Sequence, residues 1–179
     1  DRVRIHSSRP LEATRLLDGK RPEEARELIR LLFTLCGEAQ SRAAEAALAQ
    51  AEGRPERNPR HGALLVLMEN AREHLLRVFI DGPRLLDGND QTRQLQPIMP
   101  LLDSLRQAEN DDERSDCIDQ LDRQLAERVF AMPTGQWLDI TGIDELERWI
   151  ERCETPAATN LHQLCRQGWA AQGHQSLAA

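Results

Sequence analysis

Between Arg60 and Ile80 the apolar residues fall at Leu64, Leu67, Met68, Ala71, Leu75, Val78 and Phe79. Three- and four-residue spacing held over this length is the stripe of a helix with one buried face. Asp81-Gly82-Pro83 follows and predicts a stop there. The same grammar recurs along the chain. Pro22 opens a helix with Glu23 and Glu24 at its positive end, and Leu28, Leu31, Leu32 and Leu35 continue it. Cys36-Gly37 predicts a break, because Gly costs about 1 kcal/mol in a helix interior and favours helix C-termini. An Ala-rich helix is expected from Glu38 to Glu52, and a charged linker from Gly53 to Pro59.

Further helices are predicted over Pro97 to Ala108, Glu113 to Ala131, Ile143 to Cys153 and Pro156 to Ala171. Asn110-Asp111-Asp112 reads as a cap, and Thr155-Pro156 as a cap followed by an N1 proline. Ile118, Leu121, Leu125 and Val129 are expected inward, with Trp137, Trp149 and Trp169 as core anchors. Strand signals are nearly absent. The expectation is an all-α bundle of about six or seven helices over residues 19–179. Residues 1–18 precede it as a basic arm, in which Val3 and Ile5 alternate with Arg as a short strand or an extended segment and Leu11 to Leu17 is expected to form a short helix.

Charge and composition narrow the function. Twenty-three basic residues face 30 acidic ones, a net charge of −7, which argues against a nucleic-acid binder. All the basic residues but Lys20 are Arg, a bias read first as coding. With three Trp, three Phe and no Tyr, stacking platforms for single strands are not expected. No apolar run approaches the roughly 20 residues of a membrane span, so no membrane partner is expected. Four cysteines without a dense framework read as cytosolic thiols. Phosphate-loop, dinucleotide and hydrolase motifs are absent. The chain begins at Asp1 without a Met, which suggests trimming.

Cys36 is the leading candidate for chemistry. At a helix start, backbone N–H groups favour a thiolate or an anion. The alternative is a small buried hydrophobe within Leu35-Cys36-Gly37. Glu38 and Gln40 lie within a turn of it. Glu69 and Glu73 share one face of the long helix, and Glu73 with Arg77 reads as an ordinary ion pair. His74 falls along the line of Leu67, Ala71 and Val78, nearer the core, and lacks the spacing of a metal motif. His162 precedes Cys165 by three, a faint metal signal.

Gly19-Lys20-Arg21-Pro22-Glu23-Glu24-Ala25, Leu35-Cys36-Gly37 and the Ala-rich helix after them resemble the nickel–iron hydrogenase large subunit. Glu69, His74 and Asp81-Gly82-Pro83 extend the likeness. The departures are specific. Ala39 stands where that family has its second, metal-bridging Cys, and Leu11-Glu12-Ala13-Thr14 where it has Arg-Gly-x-Glu. The chain contains no Cys-x-x-Cys pair. A bimetallic centre that needs two bridging thiolates therefore has no cage here, and catalysis is not expected.

The block Leu32-Phe33-Thr34-Leu35-Cys36-Gly37-Glu38-Ala39-Gln40 is more specific. With Ser7-Ser8-Arg9-Pro10, Glu69-x-x-Arg72-Glu73-His74, Trp137-Leu138, Trp149 and Gly168-Trp169-Ala170, it resembles the HupK/HoxV-type hydrogenase expression/formation proteins. The likeness covers most of residues 3–171, and members of that group are usually longer. It implies a non-enzymatic cytoplasmic scaffold for the iron–dicyanide–carbonyl unit before transfer to the large-subunit precursor. Cys36 would be the metal ligand, with Glu38, Gln40, Glu69 and His74 shaping the pocket. Maturation proteins would be partners. The rivals are a metal-free interaction module with the same fold and a cysteine-dependent enzyme.

Overall fold

The computed structural model describes residues 12–169. Among them the chain is all-α, with no strand. Seven helices have nine or more residues: α1 (Pro22–Leu32), α2 (Gly37–Ala51), α3 (Pro59–Leu76), α6 (Met99–Gln107), α7 (Asp111–Leu125), α9 (Ile143–Arg152) and α10 (Pro156–Arg166). Three are short: α4 (Gly82–Leu85), α5 (Thr92–Leu95) and α8 (Thr134–Leu138). No helix among the described residues is long and apolar enough to cross a membrane. The arm expected at Val3 and Ile5 lies outside the described residues. Of the short helix expected over Leu11 to Leu17, Ala13–Leu17 forms a 3-10 turn. The chain divides into two compact units, 1–69 and 70–179, with the boundary inside α3.

In the first unit α1 and α2 form an antiparallel hairpin. Arg26 reaches Glu45 and Arg30 reaches Ser41 and Glu38, so numbers fall along α1 as they rise along α2. α1 ends at Leu32, four residues before the predicted break, and Gly37 opens α2 rather than closing α1. Leu35 is therefore off the helix and 69% exposed, and Leu31 is 73% exposed. Ile29 is the α1 residue that is buried, and Ala49, Leu65 and Met68 are also buried in this unit.

The second unit is built around Leu75, Phe79, Leu95, Ile98, Leu102 and Val129, with Leu121 and Leu125 packed alongside. Ile118, expected inward, is exposed. A second cluster gathers Trp149, Ile150 and Ala158. Trp137 stacks on Phe130 at 4.5 Å between centroids and meets Trp149 edge-on at 5.9 Å. Trp169, the third expected anchor, is exposed instead. Both predicted caps form. Asn110 accepts from Glu113 N at 2.9 Å, and Thr155 Oγ1 from Ala158 N at 3.4 Å.

Asp81-Gly82-Pro83 does not stop the long helix. The segment Arg77–Asp81 widens into a π turn and α4 follows directly. The backbone accounting explains how. Gly82 N–H donates to Arg77 O, five residues back. In that register the donor to Val78 O would be residue 83, a proline with no N–H. The Asn160 side chain from α10 supplies the missing donor, at 2.8 Å. Gly82 leaves room for it, since a Cβ there would stand 2.3 Å from Asn160 Nδ2. A second π turn, Ala126–Phe130, ends at Ala131 with φ 53°, and Trp149 Nε1 donates to Phe130 O at 2.6 Å.

Asn160→Ala is expected to cost about 1–3 kcal/mol in urea unfolding, because it leaves Val78 O without its donor. Gly82→Ala should cost a similar amount by expelling the amide. The double variant should fall short of the sum, since both changes remove one interaction. Additive costs would show that the amide and the glycine act separately.

Candidate functional site

α2 begins with three backbone N–H groups that have no helical acceptor, those of Gly37, Glu38 and Ala39. A capping side chain at the residue before the helix ordinarily accepts from the second or third of these. Cys36 holds that position and makes no such bond. Glu69 on α3 does it instead. Its carboxylate accepts from Glu38 N at 2.8 Å through one oxygen and from Ala39 N at 3.1 Å through the other. An anion at this helix end is also favoured by the aligned peptide dipoles.

The thiol is thereby left without a capping duty. Cys36 is half-buried, and Gln40 Nε2 approaches its Sγ at 3.9 Å from one turn along α2. Glu38, largely buried, pairs with Arg30 at 2.8 Å. Four of the residues singled out from sequence thus belong to one cluster: Cys36, Glu38, Gln40 and Glu69. One expectation about them is corrected. The Glu38 and Ala39 N–H groups that were to favour a thiolate or an external anion are occupied by the Glu69 carboxylate. His74 belongs to the second unit and is exposed, not turned toward the core. Its neighbour Glu73 pairs with Arg77 at 3.6 Å, as the spacing indicated. Exposed Leu31 and Leu35 lie close to Cys36 in sequence.

Beside this cluster an ion network was not foreseen. Glu45 accepts from Arg26 Nη1 and Arg54 Nη1, both at 2.6 Å, and from Arg57 N at 3.0 Å. The bonds from Arg54 hold the Glu45 carboxyl down at about 2, helped by Arg57 N–H and Arg26 and opposed by burial. The Arg54 guanidinium is raised in turn. None of these pairs has helical i, i+4 spacing: the hairpin register brings Arg26 to Glu45, and the turn after α2 brings Arg54 and Arg57 N. A cleft of about 360 Å³ opens here, lined among others by Arg26, Arg30, Arg42, Glu45, Arg57 and His61.

The other cysteines, Cys117, Cys153 and Cys165, are unpaired. His162 and Cys165 are both exposed on α10. No group of three His, Cys, Asp or Glu residues converges as a metal site among the described residues. Nothing among known protein families, curated proteins or solved structures matches this chain.

Two outcomes follow from this geometry. Glu69→Ala should accelerate hydrogen exchange at the Glu38 and Ala39 amides and cost about 2 kcal/mol, with Glu69→Gln in between because it keeps one acceptor. Normal protection in Glu69→Ala would deny the cap. Acid should act through Glu45. Its folded value lies below the unfolded one, so its contribution is present above about pH 4.5 and is lost as pH falls toward about 2. In urea titrations, Glu45→Gln should flatten the fall in stability across that window.

Proposed function

We propose that this chain is a non-enzymatic accessory protein of nickel–iron hydrogenase maturation, on which Cys36 transiently holds the iron–dicyanide–carbonyl unit. The observation that carries the reading is the release of Cys36 from capping. A thiol at a helix start, half-buried and relieved by Glu69, is free to serve as a ligand. The likeness of residues 32–40 to the HupK/HoxV-type proteins supplies the identity of the cargo. A single soft donor suits handover, because few protein ligands let a metal leave readily.

In this reading each neighbour has a task. Gln40 Nε2 donates toward the sulfur and fixes its direction. Glu69 and Glu38, the latter tied to Arg30, keep the first turn of α2 rigid beneath it. The partners are the proteins that load cyanide and carbonyl and the large-subunit precursor that receives the unit, in the cytoplasm where the precursor is assembled.

A second reading keeps the partners and drops the metal. Exposed Leu31 and Leu35 near Cys36 favour it, as they suit a docking face for another protein.

Infrared spectra and iron analysis of the protein, co-expressed anaerobically with maturation partners, decide between them. Scaffold function predicts cyanide and carbonyl bands that vanish in Cys36→Ala together with the iron. Bands surviving in Cys36→Ala would sink the assignment of the ligand. Partners retained without bands or iron would establish the metal-free module. Leu31→Asp with Leu35→Asp would then release those partners.

A further inference from the structure

The cleft of the first unit is lined by four arginines and by Glu27, Glu38 and Glu45, and some of its donors are not used by Glu38 or Glu45. Glu45 is saturated by Arg26, Arg54 and Arg57 N, and Glu38 is bound by Arg30. Arg42 engages Pro59 O at 2.9 Å and Glu56 at 3.3 Å through one and the same nitrogen, Nη1. The Arg57 guanidinium forms no ion pair among the described residues, and its bond to Glu45 comes from the backbone. Asn58 and His61 stand beside it on the same lining.

Two backbone features shape this wall. Asn58 takes a left-handed conformation, φ 46°, just before α3. Gly62 sits in the first turns of α3, where glycine weakens a helix by about 1 kcal/mol relative to alanine. Its bareness has a local use. A Cβ at Gly62 would stand 3.1 Å from Arg42 Nη1. A side chain there would make the Arg42 guanidinium give way by a few tenths of an ångström.

We propose that this cleft binds a small oxyanion, carboxylate or phosphate in chemistry, held by Arg57 and Arg42 with His61 and Asn58. The planar forks of two arginines match the paired oxygens of either group. The volume of about 360 Å³ lies at the small end of ligand sites, which suits a compact ion rather than a nucleotide. The bond from Arg57 N to Glu45, itself held by Arg26 and Arg54, fixes the backbone from which the Arg57 side chain extends. The cleft shares Arg30 and Glu38 with the surroundings of Cys36, but the residues proposed to hold the anion are others, and the proposal does not rest on metal handover.

Calorimetric titration of the whole chain with inorganic phosphate, pyrophosphate and citrate at low salt tests this. One saturable site is expected for at least one of the three, and the tighter ligand identifies phosphate or carboxylate chemistry. Arg57→Ala should weaken binding about ten-fold with the melting temperature unchanged, because the Glu45 bond comes from the main chain. Arg123→Ala, an exposed arginine of the second unit, should have no effect. The proposal is overturned if no ligand gives saturable heat up to about 10 mM, or if Arg57→Ala and Arg123→Ala behave alike.

Discussion

The first unit depends on one carboxylate. Glu69 closes the start of α2 from a helix some thirty residues further along, and so joins α3 to the hairpin by two charge-assisted bonds. The hairpin itself is held in register by Arg26 and Arg30. Few large apolar side chains are buried in this unit, with Ile29, Leu65 and Met68 the main ones. Ionic contacts between partly buried groups therefore carry more of its specificity than in a larger core. The same bonds decide the surroundings of Cys36. A serine or aspartate at that position would turn inward to cap its own helix. The cysteine does not need to, and its sulfur is accessible to Gln40 and to whatever enters.

The second unit solves a different problem, that of carrying a helix through a proline. The π turn moves the missing N–H of Pro83 onto Val78 O, and Asn160 restores the bond from eighty-two residues away. Trp149 treats Phe130 O at the end of the other π turn in the same way. Each widened turn is thus completed by a side chain from α9 or α10. The two C-terminal helices act as fasteners, tying α10 to the π turn that follows α3 and α9 to the one that follows α7.

What the sequence made legible follows from the range of the interactions involved. The caps at Asn110 and Thr155, the Glu73–Arg77 pair and the all-α class rest on neighbours a few residues apart, and these stand as read. Grouping Glu69 with Cys36 came from family likeness, and the bonds that join Glu69 to α2 span thirty residues that periodicity does not cover. The Asp81-Gly82-Pro83 stop failed because its remedy lies on α10. Ile118 was expected inward and Leu31 and Leu35 only to continue a helix; Ile118 and Leu31 point out because a helix need bury only part of its apolar surface, and Leu35 because α1 ends before it. His74 failed in the same manner, by its position on a stripe whose inward edge is Leu75 and Phe79.

The arginine bias also gains a structural use. Arg26 bonds Glu45 and Glu23, Arg54 bonds Glu45 and Glu52, and Arg30 bonds Glu38 and Ser41. Each guanidinium bonds two acceptors with separate nitrogens, and Arg26 does so across α1 and α2. An ammonium concentrates its donors at one point and cannot span such pairs in a fixed plane. Whatever set the coding preference, a lysine-rich version of this hairpin would lose the bridges one side at a time. Glu45 would keep the main-chain bond from residue 57 and lose the two guanidinium bonds that help hold its carboxyl at about 2. The register of α1 on α2, and with it the placement of Glu38 beneath Cys36, is a consequence of that planar bonding.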